Sequence, residues 1–349
     1  SNVSLTGNAL SLNDGASGQT AFSLGALLPS NSTSGQLNVG AYQLSAASIN
    51  NSSANYNNTI TVTGSLQVNP KTVTPALTSS VSKPYDGSTG MNGVTMSLTG
   101  VLGTDAVSVA GNGAYASKNA GSNINYTIAN MALTGRDAGN YVLAAGNTLS
   151  GSNGTITAIP LTVKAIADSK IYDGAAYSGG NGVTYTGLVN NETVSDLGGA
   201  SALTYSGTSQ GATNAGSYVI TPGGLSSTNY TISYTDAALT IHPVTVGVIG
   251  LSGTLTGTVS KVYDGNTTAT LSQSNYLLSG WVNGEGATVS KTSGTYDTPD
   301  AGTGKTVTVT LANSDFVAVG ATNLANYTLP SSISTAVGVI SPKPVTVTN

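Results

Sequence analysis

The chain has 349 residues, a length that suits two to four domains, and only 7% of them are charged, against roughly 25% in an ordinary soluble domain. Lys and Arg number 10 and are scattered, with a net charge of -4, so no basic stripe could neutralise a run of phosphates and nucleic acid is not expected as a partner. Cysteine is absent, which excludes disulfides, zinc–thiolate sites and cysteine nucleophiles, and no apolar run of about 18 residues marks a membrane span in this fragment.

In chain order, residues 1–70 open partway through a pattern, so the chain reads as a piece of something longer. They hold "NVGAY" at 38–42, "SANYNNTITV" and "QVNPKTV" around Pro70. Residues 71–160 run through "SKPYDG" at 82–87, "NAG" at 119–121, "GNYVL" around Tyr141 and "TAIPLTV" around Pro160. Residues 161–243 repeat the programme with "SKIYDG", "NAG", "TNYTI" and "TIHPVTV", and residues 244–342 with "SKVYDG", "DAG", "ANYTL" and "VISPKPVTV". Residues 343–349 start a next unit or form a tail. The tyrosines of the shared phrase, Tyr85, Tyr172 and Tyr263, lie 87 and then 91 residues apart, a domain-sized repeat. We divide the chain into a partial or divergent unit, 1–70, and three YDG-type repeats, 71–160, 161–243 and 244–342.

Runs such as "LTVKA", "YVIT" and "KTVTVTL" alternate with the period of half-buried strands. No segment carries apolar residues at helical spacing, so the fold class is all-β: small sandwich-like domains of about 90 residues in tandem. Asn-Gly pairs at Asn92, Asn112, Asn153, Asn181 and Asn283 predict tight turns. Proline at each joint fixes φ and keeps its predecessor extended, so one domain passes stiffly into the next and an extended rod follows.

The phrase Ser-Lys-x-Tyr-Asp-Gly supplies the candidate structural residues: Lys83, Tyr85, Asp86 and Gly87; Lys170, Tyr172, Asp173 and Gly174; Lys261, Tyr263, Asp264 and Gly265. Lysine and tyrosine two apart share a strand face. Asp-Gly fits a turn in which glycine takes φ > 0 and the carboxylate bonds backbone N–H groups. The tyrosine is expected to anchor its own core, with the lysine stem on its ring. Two sharper readings compete: Asp86, Asp173 and Asp264 as calcium ligands, and Lys83, Lys170 and Lys261 as partners in Lys–Asn isopeptide crosslinks. Calcium takes six to eight oxygens, whereas the carboxylates here are scattered and no D-x-D-x-D-G loop exists. No cofactor is assigned and calcium is kept as the minor alternative.

No catalytic residue is assigned. His242 is the single histidine, at a joint where the other units place Ile159, Asn69 and Ser341, and no carboxylate pair recurs in a glycosidase pattern. The third repeat departs in "WVNGEGATVSKTSGTYDTPD", which carries the single tryptophan. Trp281 and Tyr296 are therefore the candidate ligand-binding residues, by stacking on sugar rings.

The phrases "LTVKAIADSKIYDG", "NAGSYVI", "NYTISY" and "LTIHPVTV", in that order, resemble the YDG and MBG repeat modules of large bacterial surface proteins. Those belong largely to filamentous-haemagglutinin-like adhesins of the two-partner secretion pathway, some of which bind biofilm exopolysaccharide. The resemblance covers residues 71–349 well and residues 1–70 through the half-programme. It implies a stalk segment of an extracellular, outer-membrane-associated adhesin without enzymatic activity. Exopolysaccharide or a host or cell-surface glycan, and self-association between rods, are the candidate partners. An exopolysaccharide-binding module is the alternative, and a carbohydrate-active enzyme a more distant one.

Overall fold

A computed structural model describes residues 2–6, 9–13, 19–24, 30–43, 46–51, 65–144, 146–197, 199–244 and 252–347. They form β-strands joined by turns and single 3-10 turns, with no α-helix among them. The chain divides into two compact units, residues 1–159 and 160–349, each holding two modules.

In the first unit, strands Asn2–Thr6, Ala9–Asn13, Gln19–Leu24 and Ala46–Asn51 form a four-stranded sheet, and Gly40–Gln43 pairs antiparallel with Ser65–Val68. The half-programme stretch "SANYNNTITV" lies outside the described residues. The module that follows is a pair of sheets. One runs Ser108–Tyr115, Gly121–Thr134, Leu149–Thr157, Ser82–Pro84; the other runs Tyr141–Leu143, Lys71–Leu77, Met96–Thr99. Val109, Ile128 and Met131 of the first sheet pack against Leu77, Met96 and Leu98 of the second, closing a sandwich core.

The second unit repeats the plan. Strands Val183–Thr186, Ile159–Ala165 and Tyr230–Thr235 form one sheet, and Asp168–Ile171, Ala237–His242, Gly216–Gly223 and Thr204–Ser206 the other. In the last module a five-stranded sheet, Val259–Val262, Ser332–Ser341, Gly302–Thr310, Ser293–Tyr296, Thr268–Thr270, is faced by the pairs Ser252–Leu255 with Tyr276–Ser279 and Gly286–Val289 with Phe316–Val319. Its core gathers Val259, Val307, Val309, Phe316, Ile333 and Ile340. The alternation in the sequence is the cause: in "KTVTVTL", Val307 and Val309 are fully buried between exposed or half-buried threonines, each burial worth roughly 1.5–3 kcal/mol.

The Asn-Gly turns are found at Asn92, Asn181 and Asn283, where Gly93, Gly182 and Gly284 take φ of 66°, 92° and 79°. The other two pairs fall inside strands, at Asn112 in Ser108–Tyr115 and at Asn153 in Leu149–Thr157. There glycine serves close packing. A Cβ on Gly154 would stand 2.6 Å from the Ile124 carbonyl oxygen and 2.8 Å from the Tyr115 ring, so turn chemistry read from the dipeptide was the wrong cause.

Candidate functional site

The repeated phrase closes each module. Its strand runs parallel to the module's last strand, as Ser82–Pro84 beside Leu149–Thr157, Asp168–Ile171 beside Ala237–His242 and Val259–Val262 beside Ser332–Ser341. The tyrosine N–H then donates to that strand's final carbonyl three times at one length: Tyr85 to Thr157, Tyr172 to His242 and Tyr263 to Ser341, each 2.8 Å. The x position points to solvent, with Ile171 59% and Val262 53% exposed, which explains why it alone varies.

Lysine stitches the turn shut. Lys83 Nζ donates to Asp86 Oδ1 at 2.7 Å and to the carbonyls of Ser88 and Gly90 at 2.8 and 2.9 Å. Lys170 reaches Asp173 at 2.6 Å and the Ala175 carbonyl at 3.0 Å, and Lys261 reaches Asp264 at 2.6 Å and the Asn266 carbonyl at 2.8 Å. Each aspartate also accepts a backbone N–H two residues on, from Ser88, Ala175 or Asn266, while Gly87, Gly174 and Gly265 take φ of 74°, 73° and 79°. Burial works against the charge on Asp86, but hydrogen bonds from Lys83 and Ser88 outweigh it and hold the carboxyl below its usual range. The hydrogen bonds from Lys170 and Lys261 do the same for Asp173 and Asp264. These oxygens serve the turn, and among the described residues no three His, Asp or Glu side chains converge as metal ligands.

Two expectations about the phrase change. The lysine ammonium lies 5.7 Å from the ring of a strand tyrosine, Tyr115 for Lys83 and Tyr296 for Lys261, rather than over the tyrosine of its own phrase. That tyrosine is buried in two of the three copies, Tyr85 at 2% and Tyr172 at 7% exposed, with Tyr172 among the core residues Ile220, Leu239 and Ile241 of its own module, whereas Tyr263 is 40% exposed with its module complete.

Tyr172 shows what the position is for. Its hydroxyl donates to Glu285 Oε1 of the next module at 2.9 Å, and its ring meets Tyr327 edge-on with centroids 5.7 Å apart. Tyr327 donates to the other oxygen of the same carboxylate and accepts the Val282 N–H at 3.1 Å. Burial and the Glu285 hydrogen bond push both phenols above their ordinary value. Glu285 thus bridges two phenols from neighbouring modules by charge-assisted bonds.

Beside this bridge, Ala215 N–H donates to Asn326 Oδ1 at 2.7 Å and Asn326 Nδ2 donates to Asn214 Oδ1 at 3.0 Å. A backbone N–H can only donate, so the amide orientation of Asn326 is fixed by the network. Val244, just past the proline joint, enters the next module's sheet. Its N–H donates to the Asn326 carbonyl at 2.9 Å, and its carbonyl accepts from Thr328 at 2.8 Å.

The first unit contains the same device. Val39 N–H donates to Asn140 Oδ1 at 2.8 Å, and Asn140 Nδ2 donates to Asn38 Oδ1 at 2.7 Å. Lys71, just past Pro70, pairs with Tyr141, whose hydroxyl donates to Asp105 and accepts the Leu102 N–H. No phrase tyrosine faces this junction. Ser34 N–H supplies Asp105 instead, at 2.7 Å, and Thr33 donates through N–H and Oγ1 to the buried Asp137. Burial opposes the charge of Asp105, but the hydrogen bonds around it, that from Tyr141 foremost, hold the carboxyl far below its usual range.

The acids of these corners were missed in the sequence, where carboxylates looked scattered. Each stands three residues past the backbone N–H that caps the tyrosine: Leu102 and Asp105, Val189 and Glu192, Val282 and Glu285. Each also precedes its tyrosine by a similar span, 36, 38 and 42 residues. The spacing was visible; its drift hid it. Trp281 belongs to this junction, with its ring 4.7 Å from that of Tyr327. Tyr296 is 1% exposed with its hydroxyl on the Val259 carbonyl at 2.9 Å, so it is a core residue without a free face for a sugar.

Comparison with family models gives the middle repeat, read from its phrase as YDG-type, a different family from the two that flank it. Residues 69–149 and 249–335 match the YDG domain, and residues 161–240 match the MBG domain (YGX type). No curated protein and no solved structure matches the chain. The chain therefore carries two YDG domains with an MBG domain between them in the sequence, the module types its repeated phrases resembled.

Proposed function

We propose that this chain is a spacer: a stalk segment of a large secreted bacterial surface or biofilm-matrix adhesin, holding an adhesive region away from the cell. The observation that carries the reading is the junction built twice from the same positions, Asn38 with Asn140 and Asn214 with Asn326. The polar side chains that recur between modules are spent on joining them. Trp281, the best sugar-stacking candidate, packs on Tyr327 in one of these joints.

YDG and MBG domains are not enzyme families, and on this reading the chain is non-catalytic and works outside the cell. No helix among the described residues is long and apolar enough to cross a membrane. The test is a panel of exopolysaccharides and host glycans applied to the folded chain with and without calcium. The spacer reading expects no saturable binding; saturable binding abolished by Trp281→Ala would overturn it in favour of a lectin-like segment.

A further inference from the structure

We infer that the end face of the last module, built by Tyr263, Asp300, Ala301 and Lys343, is a docking socket for a further module of this family, engaged through that module's Asn-Tyr corner and loop carboxylate. The inference rests on junction geometry and not on what the chain adheres to, so it stands or fails apart from the spacer reading.

In the MBG module Ile241 pairs with Lys170 on one side and Gly216 on the other, and in the last module Ile340 pairs with Lys261 and Gly302. This superposes Tyr172 on Tyr263 and Asn214-Ala215 on Asp300-Ala301. Tyr172 is 7% exposed, its hydroxyl held by Glu285. Tyr263 is 40% exposed and its hydroxyl has no partner among the described residues.

The chemistry of the vacant positions matches the occupied ones. At both occupied junctions the first residue of the small phrase, Asn38 or Asn214, accepts through Oδ1, and the N–H of the next residue, Val39 or Ala215, donates to the incoming asparagine. Asp300 keeps the acceptor and Ala301 keeps the donor. Asparagine and aspartate are interchangeable here because only the acceptor oxygen is used.

The segment past the joint agrees. Pro70-Lys71 leads into a strand whose Val73 is fully buried, and Pro342-Lys343 leads into "PVTV" with Val345 89% exposed. Lys343 has the N–H and carbonyl that Val244 uses against Asn326 and Thr328.

The test extends the full chain. A copy of residues 244–342 is appended after Pro342, its Val244 supplying the backbone N–H and carbonyl of the Lys343 position, and in a second variant a copy of residues 71–159, its Lys71 supplying them, so that either module's own corner meets the socket. The readouts are hydrogen exchange at the Ala301 amide and nitration of Tyr263 located by mass spectrometry. In either folded extension Ala301 exchange is expected to slow at least tenfold, towards that of Ala215, and Tyr263 nitration to fall in parallel. Asp300→Asn should keep this protection and Asp300→Arg should abolish it. Unchanged Ala301 and Tyr263 in an extension whose own core amides are protected would overturn the inference. So would protection of Tyr263 in the unextended chain by a second copy or by added glycan.

Discussion

Asn326 and Asn214 face each other amide to amide at 3.0 Å although 112 positions separate them, and Asn140 repeats the arrangement with Asn38 at 2.7 Å. In each case one asparagine closes a ring of donors and acceptors that includes the partner's next backbone N–H. Such a ring is sensitive to truncation from one side, because the groups left behind are partly buried.

Asn326→Ala is expected to lower the stability of the chain by about 1–3 kcal/mol, the cost of leaving the Ala215 N–H and Asn214 Oδ1 without partners. Urea unfolding followed by tryptophan fluorescence reads it directly, since Trp281 sits at the same joint. Asn326→Asp should be at least as costly, because a carboxylate would face the Asn214 oxygen.

The phenol–carboxylate bridge predicts coupling between Tyr172 and Tyr327 through Glu285. Tyr172→Phe and Tyr327→Phe are each expected to cost about 1–3 kcal/mol. In a double-mutant cycle their effects should fail to add by about 0.5 kcal/mol or more, as for residues sharing one network.

Glycine substitutions separate backbone strain from crowding. Gly265 has φ of 79° with nothing within 4 Å of an added Cβ, so Gly265→Ala should cost only the left-handed penalty, about 1–2 kcal/mol. Gly154→Ala drives a methyl into the Ile124 carbonyl and the Tyr115 ring and should cost more. Equal thermal shifts for the two would contradict the assignment.

The shape of this chain's pH dependence follows from its phenols and carboxylates. Burial, joined by the hydrogen bond to Glu192, pushes Tyr230 up to about 12 from 10.0, and burial raises Tyr141, Tyr172 and Tyr327 in the same direction. A raised phenol stabilises the fold at every pH below its unfolded value, and that contribution is lost as pH climbs from 10 towards 12. Asp86, Asp105, Asp173 and Asp264 are lowered from 3.8, so their contribution is fully present above that unfolded value and is lost as pH falls below it through their lower folded-state values. Urea midpoints measured across pH should show a plateau that drops at both ends, the alkaline drop coinciding with phenolate absorbance.

The fold was legible in the sequence because alternation, proline joints and the thrice-written phrase are local signals. "KTVTVTL" alone states that Val307 and Val309 face one way. The turn was legible too, in Asp-Gly. What could not be read was which surface a residue faces once modules meet. Tyr172 and Tyr263 stand in the same Ser-Lys-x-Tyr-Asp-Gly phrase, yet one is buried and the other open, because burial there is set by a neighbour well over a hundred residues away in the chain. Asp105, Glu192 and Glu285 escaped for the same reason: their loops vary in length, and their partners are long-range.

The most direct test of the central claim is small-angle X-ray scattering on the chain beside a variant carrying Asn38→Ala, Asn140→Ala, Asn214→Ala and Asn326→Ala. A compact chain of this length would have a radius of gyration of about 20 Å. The spacer account expects a value well above that for the parent chain, and a broader distance distribution in the variant with unchanged circular dichroism. A radius near the compact value, or identical scattering from a folded variant, would contradict it.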